Sequence, residues 1–123
     1  MVKLNPLKVN IEGKRVIIID DSLVRGTTSK ILISIIRKAG AKEVHFLSAS
    51  PAVKYPCYFG IDTARRNELI ASRLTVEEIR EEIDADTLDY LSLDNMYKSL
   101  KGCEYCVGCF NGAYPVDTPT EEE

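Results

Sequence analysis

The sequence predicts an α/β protein in which a short parallel sheet is flanked by helices, and three observations carry that prediction. Val16-Ile17-Ile18-Ile19 is an unbroken run of β-branched apolar residues, the pattern of a strand buried on both faces. A helical pattern follows from Ser29 to Ala39, with Ile31, Leu32, Ile35 and Ile36 on one stripe. A second strand pattern, Lys42 to Leu47, comes directly after it. Strand, helix, strand in one unit implies parallel strands joined by a right-handed crossover.

The remaining elements follow in order. Met1 to Asn10 carries Pro6 and no clear periodicity, and Ile11-Glu12-Gly13-Lys14 reads as a turn into the first strand, Arg15–Ile19. The first helix ends at Ala39-Gly40, with Arg37 and Lys38 in its last turn and Gly40 as the residue that leaves it. Ser48 to Asp62, with Pro51 and Pro56, is a long irregular segment of the kind that tends to be functional. Thr63 to Ser72 reads as a short helix. Thr75-Val76-Glu77-Glu78 is a capping box opening a helix to about Ile83. Leu88 to Leu91 is a third short strand. Ser92 caps a last helix to about Lys101, with Leu93, Met96, Tyr97 and Leu100 as its stripe. The expected division is 1–101 as the α/β part and 102–123 as a Cys-rich segment and frayed acidic tail.

Composition narrows the function. At 123 residues, 45% apolar and 28% charged, the chain is sized for one modest domain with a small core. A net charge of −3 argues against nucleic acid as the main partner. No apolar run reaches membrane-spanning length and the N-terminus lacks a signal-peptide pattern, so a cytoplasmic protein without a membrane partner is expected. His45, the one histidine, sits within a strand and is assigned no role.

The binding chemistry concentrates between the first strand and its helix. Asp20 and Asp21 stand at the carboxyl end of the strand, where α/β sheets present ligand sites. A hydroxyl-rich loop follows: Ser22, Leu23, Val24, Arg25, Gly26, Thr27, Thr28, Ser29. Backbone N–H groups at a helix start have no intrahelical partner and favour an anion. Gly26 permits a tight turn and close approach of a ligand. The acid pair would repel a phosphate unless the ligand also offers hydroxyl donors, such as a ribose diol, or carries a divalent cation. The loop therefore asks for a sugar phosphate, with magnesium. It lacks the Gly-Lys-Ser/Thr of a P-loop and the three glycines of a dinucleotide fingerprint. Receiver domains share the paired acids but not the hydroxyl-rich loop, and a plain solvated cap is the bland alternative.

A second constellation is Cys103, Cys106 and Cys109 at C-x2-C-x2-C spacing, with Cys57 far upstream. Thiolates so spaced can converge on an iron–sulfur or structural zinc centre. Reduced, partly buried thiols are the alternative.

The Asp-Asp-Ser-Leu-Val-Arg-Gly-Thr-Thr-Ser string resembles the phosphoribosylpyrophosphate (PRPP) loop of the type I phosphoribosyltransferases, and in particular their glutamine-dependent amidotransferase branch. Further stretches resemble the same branch: Ala49-Ser50-Pro51, Tyr55-Pro56-Cys57-Tyr58-Phe59-Gly60-Ile61-Asp62, Glu68-Leu69-Ile70-Ala71-Ser72, Ala85-Asp86-Thr87-Leu88 and Cys106-Val107-Gly108-Cys109-Phe110. The likeness runs from about Asn5 to Val116 but covers only the C-terminal portion of the family's chain.

The resemblance implies part of a type I phosphoribosyltransferase fold, 1–101 being the C-terminal half of that domain. It implies an enzyme that moves ammonia from glutamine onto C1 of PRPP, the first step of de novo purine synthesis. PRPP or ribose 5-phosphate would contact Asp20, Asp21, Ser22, Val24, Arg25, Gly26, Thr27 and Thr28, with Mg2+ at Asp20 and Asp21. Some family members bind a [4Fe–4S] cluster whose ligands fall on Cys57, Cys106 and Cys109, with zinc as an alternative metal. The fourth ligand falls outside this stretch, and Cys103 matches a cysteine that is not a ligand. The family's glutaminase half uses an N-terminal cysteine, and no cysteine precedes Cys57 here. No residue is therefore assigned a catalytic role. An isolated chain inactive by itself is expected, needing the N-terminal glutaminase and transferase half or associating with itself. A non-catalytic module that keeps the phosphate loop for binding or assembly is the rival reading.

Overall fold

In the computed structural model, which describes residues 8–61, 65–101 and 104–119, three parallel strands lie in the order β1-β2-β3. They are β1 (Arg15–Asp20), β2 (Glu43–Ser48) and β3 (Thr87–Tyr90). Registers run Asp20 beside Ser48 and Ser48 beside Tyr90, so the carboxyl ends of all three strands meet in one row. The crossover from β1 to β2 is α2 (Thr27–Lys38), which starts two residues before the pattern from Ser29. Gly40 leaves that helix at φ +96°, as its place in the sequence implies. A short helix α1 (Lys8–Ile11), without a periodic signal, precedes the turn at Gly13. Gly13 N–H donates to the Gly40 carbonyl at 2.7 Å, joining the two turns.

One face of the sheet carries the core. Val44, Phe46 and Leu88 pack with Ile33 of α2, Ile70 and Ala71 of α3 (Ile70–Arg73), and Ile79 and Ile83 at α4 (Val76–Glu82). Fully burying a side chain such as Phe46 is worth about 1.5–3 kcal/mol. The expected α2 stripe is corrected here. The helix turns Ser29 and Ile33 inward, with Ile36 against the cluster, whereas Ile31 is 58% exposed. The inward row is i, i+4, i+7 from Ser29 in the first turn of the helix.

The expectation that β1 is buried on both faces also fails. Ile17 and Ile19 are 61% and 72% exposed, because no described element covers their face and β1 is an edge strand. The predicted helix at 63–72 is instead a 3-10 turn, Arg66–Glu68, followed by α3; residues 62–64 lie outside the described residues. Both predicted caps are present. Thr75 and Glu78 form a complete capping box, and Ser92 Oγ accepts from Asn95 N–H at 3.2 Å to open α5 (Leu93–Ser99). The α5 stripe is less buried than expected, with Tyr97 and Leu100 exposed.

An ionic lock ties α2 to the turn before β3. Asp86 Oδ2 accepts from the Val44 N–H at 2.6 Å and from Arg37 Nη2 at 3.1 Å. Arg37 also donates to the Asp84 carbonyl through Nε and Nη2. The Val44 N–H, with Arg37 beside it, holds the Asp86 carboxyl below its usual 3.8. A depressed folded-state value stabilises the fold above the unfolded pKa, and that contribution is lost as pH falls through the folded value. Asp86→Asn is therefore expected to destabilise the chain at neutral pH. The gap between variant and wild type should close below pH 3.8, in urea denaturation followed by circular dichroism across the acid range. A gap that stays constant with pH would show the carboxylate charge contributes nothing.

Candidate functional site: the loop between β1 and α2

The strand β1 ends at Asp20, and the chain then makes a short loop before α2. Each acid folds back on the backbone just after it. Asp20 Oδ1 accepts from the Asp21 N–H at 3.0 Å, and Asp21 Oδ1 accepts from the Ser22 N–H at 2.7 Å. These bonds occupy one oxygen of each carboxylate and hold both acids at the strand end. The Asp20 carbonyl accepts from Ala49 N–H at 2.8 Å, which joins the loop after β1 to the one after β2.

The loop is anchored at two points. Leu23 is buried in the main core, and Val24 packs on a second cluster around Val53 and Leu69. The Val24 carbonyl accepts from Ile70 N–H at 2.9 Å. Gly26 then takes φ +80° at the N-cap of α2, with no side-chain cap beneath it. A Cβ at Gly26 would stand 2.8 Å from Ile70 Cδ1. The left-handed backbone favours glycine here, and any Cβ would also have to displace the end of the Ile70 side chain. With no side chain capping it, the first turn of α2 keeps its orphan N–H groups available for a ligand.

These parts enclose a cavity of about 540 Å³, within the range of small-molecule sites. Asp20, Asp21, Ser22, Val24, Arg25, Gly26, Thr27, Thr28 and Ser29 line it. All eight residues assigned to sugar-phosphate binding from the sequence therefore line one cavity. Ile61 also lines it, and no residue-level reasoning singled it out; the signal available was the length of the 48–62 segment that carries it. The arrangement can hold an anion at the helix start and oppose it with two carboxylates able to accept hydroxyls or a cation. Arg25 is the one cationic side chain of the lining among the described residues, and its Nη2 lies 2.8 Å from Glu68 Oε2.

The cysteines lie elsewhere. Cys109 is in α6 (Gly108–Asn111), and its carbonyl accepts from the Lys54 and Tyr55 N–H groups at 2.9 and 3.1 Å. Burial pushes the Cys109 thiol up, and Cys57 and Cys106, near enough to be felt, push it the same way. The three are neighbours, yet among the described residues no three Cys, His, Asp or Glu side chains converge to hold a metal ion. Cys103 lies outside the described residues. His45 bonds Thr87 Oγ1 and Glu43 within the sheet, a structural position. No described helix is long and apolar enough to cross a membrane.

Gly26→Ala tests the seat of the loop. The left-handed backbone and the displaced Ile70 together should cost about 1–3 kcal/mol in urea denaturation. An unchanged midpoint would show that neither constraint holds.

No family model matches the chain. Curated relatives do. An amidophosphoribosyltransferase of Synechocystis is 51% identical over 120 residues, 96% of this chain and 24% of the relative. Those of Bacillus subtilis and Methanocaldococcus jannaschii are each 47% identical and 26% covered. Among solved structures, the glutamine PRPP amidotransferase of B. subtilis, complexed with ADP and GMP, superposes with a TM-score of 0.86 at 45% identity. That match takes in 94% of this chain and 27% of the other. This chain spans about a quarter of the length of the relatives it matches. Over nearly its whole length, in sequence and in fold, the chain matches the C-terminal region of the amidophosphoribosyltransferases, whose fold there is that of the type I phosphoribosyltransferases.

Proposed function

We propose that the chain supplies the ribose-5-phosphate side of a PRPP site. The observation that carries this is the cavity itself, in which an uncapped helix start faces two tethered carboxylates. Ser22 to Thr28 cradle the 5′-phosphate through backbone N–H and hydroxyl groups, each bond to a charged group being worth about 1.5–3 kcal/mol. Asp20 and Asp21 orient the ribose hydroxyls. Their outward oxygens fit Mg2+, which is commonly held by one or two carboxylates together with substrate oxygens. When bound, the ion neutralises charge on the pyrophosphate. The protein's own groups fix the sugar phosphate at both ends, so that C1 is presented in one orientation.

Conversion of PRPP and ammonia to phosphoribosylamine is the reaction this site serves in the same reading, in the cytoplasm. Binding at the loop alone holds substrate without selectively stabilising a transition state. The bare odd-numbered face of β1 supports a need for further polypeptide, since parallel sheets are covered on both faces. Ribose 5-phosphate titrated with Mg2+ should move the amide resonances of residues 20–29 most, and Asp20→Asn with Asp21→Asn should remove the magnesium dependence. Largest shifts elsewhere would refute the assignment.

A thiolate-bound metal centre at Cys57, Cys106 and Cys109 belongs to the same proposal. It is supported by their proximity and by the pattern of the sequence, and it requires the three sulfurs to draw together and a fourth donor to join them. Its role would be structural, as the transfer moves no electrons. Anaerobic reconstitution with iron and sulfide should give thiolate-to-iron absorption that Cys106→Ser abolishes. Protein that takes up neither iron nor zinc would leave plain thiols.

A further inference from the structure

We propose that Glu68 is a built-in counter-ion of the phosphate site, competing with the bound anion for Arg25 and so setting how tightly the loop holds phosphate. The inference rests on the phosphate-loop reading and adds a residue to it.

The cavity holds two carboxylates, Asp20 and Asp21, against one described cation, Arg25. That cation is already engaged, Nη2 to Glu68 Oε2 at 2.8 Å. Both partners are fixed at the backbone by a single bond. The Ile70 N–H to Val24 carbonyl bond at 2.9 Å lies one residue from Arg25 and two from Glu68. Leu69, between Glu68 and Ile70, is wholly buried. The 3-10 turn carrying Glu68 is closed by Glu68 N–H to the Arg65 carbonyl at 2.8 Å. The two backbones therefore hold a constant separation, while the side chains remain more than half and nearly half exposed and can turn.

A guanidinium has five N–H donors, and this ion pair uses one nitrogen. Phosphate arriving at the loop brings a charge larger than a carboxylate's and at least as many acceptor oxygens. Arg25 then turns toward the anion and Glu68 is left without its partner. That cost is subtracted from phosphate affinity. The same opposition favours a ligand whose cation offsets Glu68, and disfavours bare phosphate.

The test is a double-mutant cycle read by amide shifts on titration with inorganic phosphate, then with ribose 5-phosphate. Glu68→Gln should tighten phosphate about two- to fivefold at low salt, the scale of an exposed pair, and the gain should shrink as salt rises. Arg25→Gln should weaken it. The double variant should match Arg25→Gln alone, because Glu68 acts through Arg25. Glu68→Asp, which keeps the charge, should stay within twofold of wild type. Glu68 is a positioning residue here, and the sign separates this from a brace, whose loss would weaken binding. Weaker or unchanged binding in Glu68→Gln, with Arg25→Gln still weakened, overturns the inference and leaves the phosphate site standing. Absence of phosphate-induced shifts at residues 22–28 in the wild type overturns both.

Discussion

The loop between β1 and α2 depends on Ile70. Its N–H holds the Val24 carbonyl, its side chain lies beneath Gly26, and its other contacts are in the core cluster with Leu23, Phe46 and Ile83. A loop that must leave helix N–H groups free for a ligand cannot use a side chain to cap them. Its conformation has to be enforced from below instead. Here the core performs that task, so the geometry of the cavity-lining loop is set by apolar contacts beneath it.

The separation of the two acids from the helix start has the same origin. Asp20 is fixed by its register beside Ser48, and Asp21 by its bond to the next N–H. The hydroxyl loop is fixed by Leu23 and Val24. Negative and positive ends of the cavity thus belong to different rigid parts, the sheet edge and the helix. A ligand that bridges them must match a distance the protein does not adjust. Small ligands that satisfy only one end forgo the hydrogen bonds of the other.

Much of this was legible in the sequence, and for identifiable reasons. Four β-branched residues before an acid pair and a Gly-Thr-Thr loop specify strand, turn and helix locally, and the eight residues expected to bind ligand all come from that string and line one cavity. Caps at Thr75 and Ser92 were equally local. Apart from the 3-10 turn at Arg66–Glu68 and the short α1, the misses were tertiary. Ile33 rather than Ile31 faces the sheet because the helix packs on Val44 and Phe46, which the helical pattern by itself does not report. The bare face at Ile17 and Ile19 reflects what stands beside the strand, which composition does not encode. Ile61 reaches the cavity from a segment without periodicity. Glu68 meets Arg25 across more than forty positions, joined by contacts that no spacing rule reports.

The uncovered face of β1 also changes what thermal stability means for this chain. A single self-sufficient domain melts at a temperature set by its own contacts. A sheet with Ile17 and Ile19 in water gains free energy from anything that covers them, in proportion to the logarithm of its concentration over its dissociation constant. Its melting point is then a property of the mixture as much as of the molecule. An exposed apolar stripe of this kind also invites chaperone and protease recognition, so covering it would lengthen the lifetime of the chain as well as raise its melting point.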